Sequence, residues 1–286
     1  MFDLIPYGLS PDEFIRMALA EDTGDGDHTS ISTIDEEKTG IAKVKMKEDG
    51  IIAGLNVANL ILRCVDKTLK VQTNTSEGAK VLTGDVVMVV EGNVRSILRA
   101  ERLLLNCMQR MSGIATLTRK FVDAVDGTSA GILDTRKTTP NFRHFEKLAV
   151  RAGGGINHRF GLFDMILIKD NHVDAAGGIR NALMKAAAYL AETGKNLIIE
   201  IETRNIGEVE EVMKAGIARR IMLDNFETAD LKEAVKIIDK KFETEASGGI
   251  TLSNVYSYAL TGVNYISIGA LTHSYKSLDI SMKITK

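Results

Sequence analysis

The feature that most constrains this chain is a recurrence in its second half. From Gly131 onward, short apolar runs each close on a polar or small residue. They are ILD at Asp134, ILIK at Lys169, IIEIE at Glu202, IML before Asp224, FETEA before Ser247 and YISI before Gly269. The closures lie 35, 33, 22, 23 and 22 residues apart. Helical patterns fill the gaps, as at Ile179–Glu192 and Ala229–Lys240. Repeated strand-then-helix units predict a parallel sheet, and at this count a closed or nearly closed α/β barrel. A doubly wound open sheet is the alternative. Barrel enzymes place their sites at the C-terminal ends of the strands, where these polar residues fall.

The first half reads differently. Ser10-Pro11-Asp12-Glu13 is a capping box and predicts a helix to about Ala20. The acidic, glycine-bearing stretch Glu21–Ser30 reads as a turn, since Gly24 and Gly26 break any EF-hand spacing. Period-two alternation in Lys43–Lys47 predicts a strand, as do Leu69–Thr73 and Val86–Val90, with a helix over Leu55–Asp66. A long helix follows from Arg95 to about Asp126, with Gly113 inside it. The predicted division is an N-terminal α/β sandwich-like domain over 1–112, joined by the C-terminal tail 271–286, and an α/β barrel over 113–270.

Composition narrows the class. The 286 residues are 44% hydrophobic and 26% charged, ordinary for a globular protein, and the net charge of −2 disfavours a globally basic nucleic-acid binder. Two cysteines, Cys64 and Cys107, form neither a disulfide framework nor a zinc motif. They are expected to be buried and reduced. The stretch MFDLIPYGLS has no basic and apolar leader pattern, and no apolar run approaches a membrane span. A soluble, cytoplasmic protein is expected.

Charge is unevenly spread. Between Arg136 and His172 lie seven Lys or Arg and three His against three acids. These cations alternate with glycines and apolar strands, so they converge at one barrel mouth if the strand reading holds. Such a mouth suits a small polyanion, because arginine forks bind carboxylate and phosphate bidentately. Glu202 and Asp224 close their own strands there. They could accept sugar hydroxyls, hold a hydrated Mg²⁺ or stabilise a developing cation. Ser247-Gly248-Gly249 and Gly269-Ala270, each expected just before a helix, could cradle phosphate. There is no Walker A motif, no GxGxxG after a strand and no GxSxG elbow. Lys169 could serve as a Schiff-base nucleophile. Phe142, Phe145, Phe160 and Phe163 are expected in the core rather than on a base-stacking platform.

Taken together, the motifs resemble the quinolinate phosphoribosyltransferase family. They are EDTGDGDHT (21–29), AER with LN and QRMSGIAT (100–116), DTRKTTP (134–140), GGGINHRFGLFD (153–164), LIKDNH (167–172), MLDNF (222–226), SGGI (247–250) and ISIGALTHS (266–274). They stand in the family's order over nearly the whole chain. The resemblance implies a type II phosphoribosyltransferase fold, an N-terminal α/β sandwich plus an open, TIM-like α/β barrel, working as a homodimer with shared sites. The implied reaction joins quinolinate to 5-phosphoribosyl-1-pyrophosphate, releasing pyrophosphate and CO₂ and giving nicotinate mononucleotide for NAD biosynthesis.

By the same resemblance, Arg102 would reach the neighbouring subunit's site and bind a quinolinate carboxylate. Thr135, Arg136, His158, Arg159 and Lys169 would line the dicarboxylate pocket, and Lys137 would lie between quinolinate and the sugar phosphate. Glu202 and Asp224 would bind the ribose hydroxyls, while Ser247, Gly248, Gly249, Gly269 and Ala270 would hold phosphate. Mg²⁺ would be held through phosphates and water, with no direct protein ligand. The chain departs from the family where members often read EVE, here Glu200-Ile201-Glu202, with a different spacing to the next strand. Alternation puts Glu200 and Glu202 on one face; alignment favours Glu202 as the ribose carboxylate. The competing readings are a molybdenum-transport-associated or nicotinate-specific paralogue, a Schiff-base lyase using Lys169, and a nucleic-acid-binding module.

Overall fold

The computed structural model describes residues 8–285. The calls on residues 1–7, including most of the leader reading, and on Lys286 lie outside the described residues. The chain forms two units. One comprises the chain up to Arg119, Thr138–Gly154 and the residues from Ser274; the other comprises Lys120–Lys137 and Gly155–His273.

The first unit begins with α1 (Pro11–Thr23) and α2 (His28–Thr33). The predicted capping box forms: the Glu13 N–H donates to Ser10 Oγ at 3.3 Å, and the Ser10 N–H donates to the Glu13 carboxylate at 2.8 Å. The helix runs three residues past the expected stop at Ala20 and ends at Gly24, whose φ of +50° favours glycine. Six of the ten residues of the expected turn, 21–23 and 28–30, are therefore helical. Asp27 caps α2, accepting the Ser30 N–H at 3.0 Å.

There follow β1 (Thr39–Met46), β2 (Gly50–Ile51), α3 (Leu55–Val65), β3 (Lys70–Thr73), β4 (Lys80–Val81), β5 (Val86–Asn93) and α4 (Val94–Ala124). In β1 the alternation holds, with Ala42, Val44 and Met46 buried and Lys43 and Lys45 exposed. Further along the chain, α5 (Arg143–Ala152) and β12 (Ile280–Thr285) also belong to this unit. The main sheet has the order β12-β1-β5-β3 and is antiparallel at every pairing.

The boundary expected between 112 and 113 falls inside α4, which continues unbroken. Gly113 is there for packing: a Cβ at this position would stand 2.2 Å from the Lys276 carbonyl oxygen. The segment 138–154, expected in the barrel, packs in the first unit. Phe142 and Phe145 meet Phe14 of α1, with ring centroids 4.9–5.4 Å apart. Arg110 of α4 is paired with the fully buried Glu146 of α5. Phe163, expected in the core, is 37% exposed. Cys107 is buried, and burial pushes its thiol up to about 12; Cys64, against expectation, is exposed.

The second unit is the barrel. Its strands are β6 (Gly131–Leu133), β7 (Ile166–Ile168), β8 (Ile199–Thr203), β9 (Arg220–Asp224), β10 (Glu243–Ser247) and β11 (Tyr265–Ser267). All pairs are parallel, in the order β6-β11-β10-β9-β8-β7. No ladder joins β6 to β7, so the barrel is open. Ile156 bridges to Leu133 beside the gap. The intervening helices are α6 (Asp170–Ala176), α7 (Ile179–Thr193), α8 (Ile206–Ala215), α9 (Thr228–Ile238), α10 (Val255–Ala259) and α11 (Ala270–His273). Because every strand runs the same way, all six run-closing residues emerge at one end.

Candidate active site

A cavity of about 840 Å³ opens at that end. Thr135, Arg136, Lys137, His158, Arg159, Lys169, Glu202, Asp224, Ser247, Gly248, Gly249, Gly269 and Ala270 all line it. Of the residues expected at the site, Arg102 alone is elsewhere: it is exposed on α4 of the first unit. A larger cavity of about 1060 Å³ lies in the first unit. Its charged residues are two lysines and two acids, of which Lys70 and Glu91 form an exposed pair. It gathers no convergent charge of one sign.

The cations come from three places. Arg136 and Lys137 follow β6, His158 and Arg159 follow the glycine run at 153–155, and Lys169 closes β7 and stands at the N-cap of α6. The Lys137 backbone is held on both sides. Its N–H donates to Thr135 Oγ1 at 3.0 Å, and its carbonyl accepts from Thr272 Oγ1 at 2.8 Å. Asp134 is fully buried and accepts the His158 N–H at 2.8 Å and the Asn157 amide at 2.7 Å. Arg159 is 8% exposed and donates to the Met165 carbonyl at 3.3 Å. Burial and the neighbouring Arg136 charge both lower its affinity for its proton. Two guanidiniums held together in this way favour an arriving dianion.

The acids face them. Glu202 is 9% exposed, and its carboxylate lies 3.4 Å from Lys169 Nζ. Burial raises its pKa, Lys169 opposes the shift, and Asp224 adds to it. Asp224 accepts from the Asn225 amide at 2.6 Å. Asn225 takes a φ of +55°, and its N–H donates to the Ser247 carbonyl at 2.8 Å. A Cβ on Gly248, whose φ is +97°, would stand 2.1 Å from Asn225 Oδ1. The glycine is thus required by both space and backbone. Gly269 and Ala270 lead directly into α11, as expected. Gly249 does not lead into a helix, since α10 starts only at Val255. Any phosphate cradle there uses loop backbone.

Sequence reasoning missed the layer below. Glu200 and Glu202 do face one side, but Glu200 lies deeper and is fully buried, off the cavity wall. With Glu245 and Arg220 it surrounds His158 Nε2, at 3.0 Å from Glu200 and 3.3 Å from Glu245. Position parity could have found these residues. Glu245 stands two before Ser247, and Arg220 four before Asp224, each on the inward face of its strand. The other ring nitrogen of His158, Nδ1, accepts the Arg159 N–H at 2.8 Å. Both nitrogens are therefore turned to protein groups. His158 lines the cavity together with Arg136, Arg159 and Lys169.

The comparisons with known proteins agree along most of the chain. Residues 27–112 match the family "Quinolinate phosphoribosyl transferase, N-terminal domain", and residues 114–283 match its C-terminal domain. "Quinolinate phosphoribosyltransferase [decarboxylating] 1b" of Nicotiana tabacum is 48% identical over 94% of this chain and 81% of its own. "Probable nicotinate-nucleotide pyrophosphorylase [carboxylating]" of Bacillus subtilis is 44% identical over 93% and 90%. The crystal structure of NadC from Streptococcus pyogenes superposes with a TM-score of 0.91 at 36% identity, covering 98% of this chain and 100% of that one. With both domains matched and the strand-end residues gathered in one cavity, the chain belongs to the quinolinate phosphoribosyltransferase family.

Proposed function

We infer that this protein transfers the phosphoribosyl group of 5-phosphoribosyl-1-pyrophosphate to the ring nitrogen of quinolinate, with loss of pyrophosphate and CO₂, to give nicotinate mononucleotide for NAD biosynthesis. The observation that carries the reading is that one cavity gathers two sets of residues: the cations Arg136, Lys137, Arg159 and Lys169, and the acids Glu202 and Asp224 with the two glycine loops. A dicarboxylate fits the first set and a sugar phosphate the second.

No side-chain nucleophile is needed. The pyridine nitrogen lone pair forms the bond to the anomeric carbon, and the bonding pair of the leaving oxygen departs with pyrophosphate. Positioning by the cations brings the reactants within reach. Glu202 and Asp224 favour the positive charge that develops on the ribose. The quaternised nitrogen then draws in the electron pair of the adjacent carbon–carboxylate bond. CO₂ leaves, and a proton from solvent takes its place on the ring. Lys169 stands in an ion pair with Glu202, a setting that serves anion binding rather than Schiff-base chemistry.

Mg²⁺ belongs to this proposal as a phosphate-borne ion. At the cavity mouth Glu202 and Asp224 are a pair. Among the described residues, the one cluster of three metal-ligating side chains is the buried His158–Glu200–Glu245 set. A pair of acids suits an ion that arrives with its phosphates and reaches the protein through water. When bound, it would offset charge on the departing pyrophosphate.

A homodimer is also proposed. Arg102 is exposed and is not among the residues that line the cavity, which supports its delivery by a second chain. The unpaired cysteines suit a reducing compartment, and we propose the cytoplasm. Among the described residues no helix is long and apolar enough to cross a membrane.

The test is acceptor choice. Given phosphoribosyl pyrophosphate and Mg²⁺, quinolinate should react and nicotinate should be rejected by roughly 10⁴, the discrimination shown by sites built around a missing polar group. Preference for nicotinate would replace this reading with that of a paralogue.

A further inference from the structure

At the cavity floor, four charged or titratable side chains meet in the barrel interior, and two of them, His158 and Glu245, line the cavity itself. His158 comes from the loop after the glycine run, Glu200 from β8, Arg220 from β9 and Glu245 from β10. Glu200 and Glu245 are fully buried, and His158 and Arg220 are nearly so. Charged groups in such a place must balance. Arg220 pairs with Glu245 at 3.1 Å and with Glu243 at 3.1 Å, and it stacks on the Tyr265 ring at 4.2 Å. Arg219 shares Glu243 at 3.0 Å. Two arginines thus answer Glu243 and Glu245. Glu200 and His158 remain, and the set is neutral if one proton is shared between them.

The geometry decides where that proton sits. The Arg159 N–H points at His158 Nδ1 at 2.8 Å, so Nδ1 is an acceptor and the ring carries its hydrogen on Nε2. The protonated Nε2 then lies 3.0 Å from the Glu200 carboxylate and 3.3 Å from that of Glu245. An imidazolium would need a hydrogen on Nδ1, which the Arg159 N–H opposes. The proton therefore belongs to Glu200, whose Oε1 is buried with no hydrogen-bond partner among the described residues, a costly setting for an ionised oxygen. Burial and the Glu245 charge push Glu200 up, to about 7. Burial opposes ionisation of Glu245 too, but His158, Ser267 and Arg220 outweigh it and hold its pKa down. The two acids draw His158 up to about 9 against the burial of its ring. The opposing Arg159 N–H sends that proton to Glu200.

We propose that Glu200, Glu245 and Arg220 are positioning residues for quinolinate. They hold His158 as the neutral Nε2–H tautomer, its Nδ1 anchors the Arg159 main chain, and the Arg159 guanidinium is thereby set into the cavity. This rests on the quinolinate reading for its binding consequence, but not for its tautomer. The same ligand atoms lie within 4.8 Å of one another, which also suits a divalent metal. Arg220, 3.1 Å from Glu245 and 4.0 Å from Glu200, already supplies the positive charge.

The intact protein labelled with ¹⁵N-histidine gives the test, with His158→Gln assigning its signal among five histidines. The expected spectrum shows a protonated Nε2 and a hydrogen-bonded, unprotonated Nδ1 from pH 6 to 8. Glu245→Gln should mix the tautomers. It should raise the quinolinate Kd roughly ten-fold, the size such outer partners carry, while the phosphoribosyl pyrophosphate Kd stays within about two-fold. Glu200→Leu should weaken quinolinate binding similarly, and Glu200→Gln, which copies a protonated acid, should restore it. An imidazolium spectrum at pH 7 would overturn the proposal, whatever the substrate proves to be. So would failure of Glu200→Gln to rescue, or stoichiometric binding of added Zn²⁺ that shifts the His158 signals. If Glu245→Gln does not fold, the wild-type spectrum and the Glu200 pair still decide.

Discussion

Arg159→Ala probes the dicarboxylate pocket most sharply. Arg159 is buried beside the half-buried Arg136, and its guanidinium is not screened as a surface charge would be. A charged hydrogen bond is worth about 1.5–3 kcal/mol. At about 1.4 kcal/mol per decade, losing one bond to a quinolinate carboxylate weakens binding roughly 10- to 140-fold. The fork can make two, so the effect should lie in or above this range. Without ligand the sign reverses, because removing one of two repelling cations relieves the empty site. The variant should therefore melt at or above the wild-type temperature while binding quinolinate poorly. Arg159→Lys keeps the charge but loses the fork and should fall between. Calorimetric titration with quinolinate reads this directly, with phosphoribosyl pyrophosphate as the control ligand. Quinolinate affinity within two-fold of wild type in both Arg159→Ala and Arg136→Ala would refute the assignment of the pocket.

Other outcomes follow from the same structure. Gly248→Ala forces a Cβ to within 2.1 Å of Asn225 Oδ1 at a φ of +97°; the strain, about 1–3 kcal/mol, should displace the Asn225–Asp224 corner and raise the KM for phosphoribosyl pyrophosphate more than that for quinolinate, as steady-state kinetics would show. Gly113→Ala gains about 1 kcal/mol of helix propensity but drives a Cβ to 2.2 Å from the Lys276 carbonyl oxygen. Overpacking of about 1–3 kcal/mol should win, with denaturant unfolding showing a net loss. Glu200→Gln changes the pH dependence of stability. Folded Glu200 holds its proton up to about pH 7, against about 4.3 unfolded. The wild type therefore loses stability as pH rises through that window, and the non-titrating variant should gain on it between pH 5 and 8 in urea titrations.

The barrel was legible because each strand is short, apolar and closed by a residue unlike the run before it. Asp134, Lys169, Glu202, Asp224, Ser247 and Gly269 all fall at one end because parallel strands leave no other arrangement. The α1 start was legible because Ser10 and Glu13 form a local device that needs no tertiary contact. Its end was not, since Glu21, Asp22 and Thr23 neither favour nor forbid another turn. The continuity of α4 was hidden because Gly113 looks like a break, while its cause is a close approach by Lys276, 163 residues away. The return of α5 to the first unit depends on Phe142 and Phe145 meeting Phe14, a contact that periodicity cannot name. Within the site, the acids at strand ends were visible. Glu200, Arg220 and Glu245 were not, because charged residues in strand interiors read as solvent-facing until the barrel closes over them. The surroundings of His158 were hidden for the same reason, since its Nε2 lies within 3.3 Å of carboxylates on two strands, β8 and β10.

The central claim concerns one reaction, and its stoichiometry is the most direct test. The purified protein is incubated with quinolinate, phosphoribosyl pyrophosphate and Mg²⁺, and CO₂ and nicotinate mononucleotide are measured together. The account predicts equal amounts of both, formed only when both substrates are present. Nucleotide formed from nicotinate without CO₂, or neither product from a folded protein that binds both substrates, would contradict it.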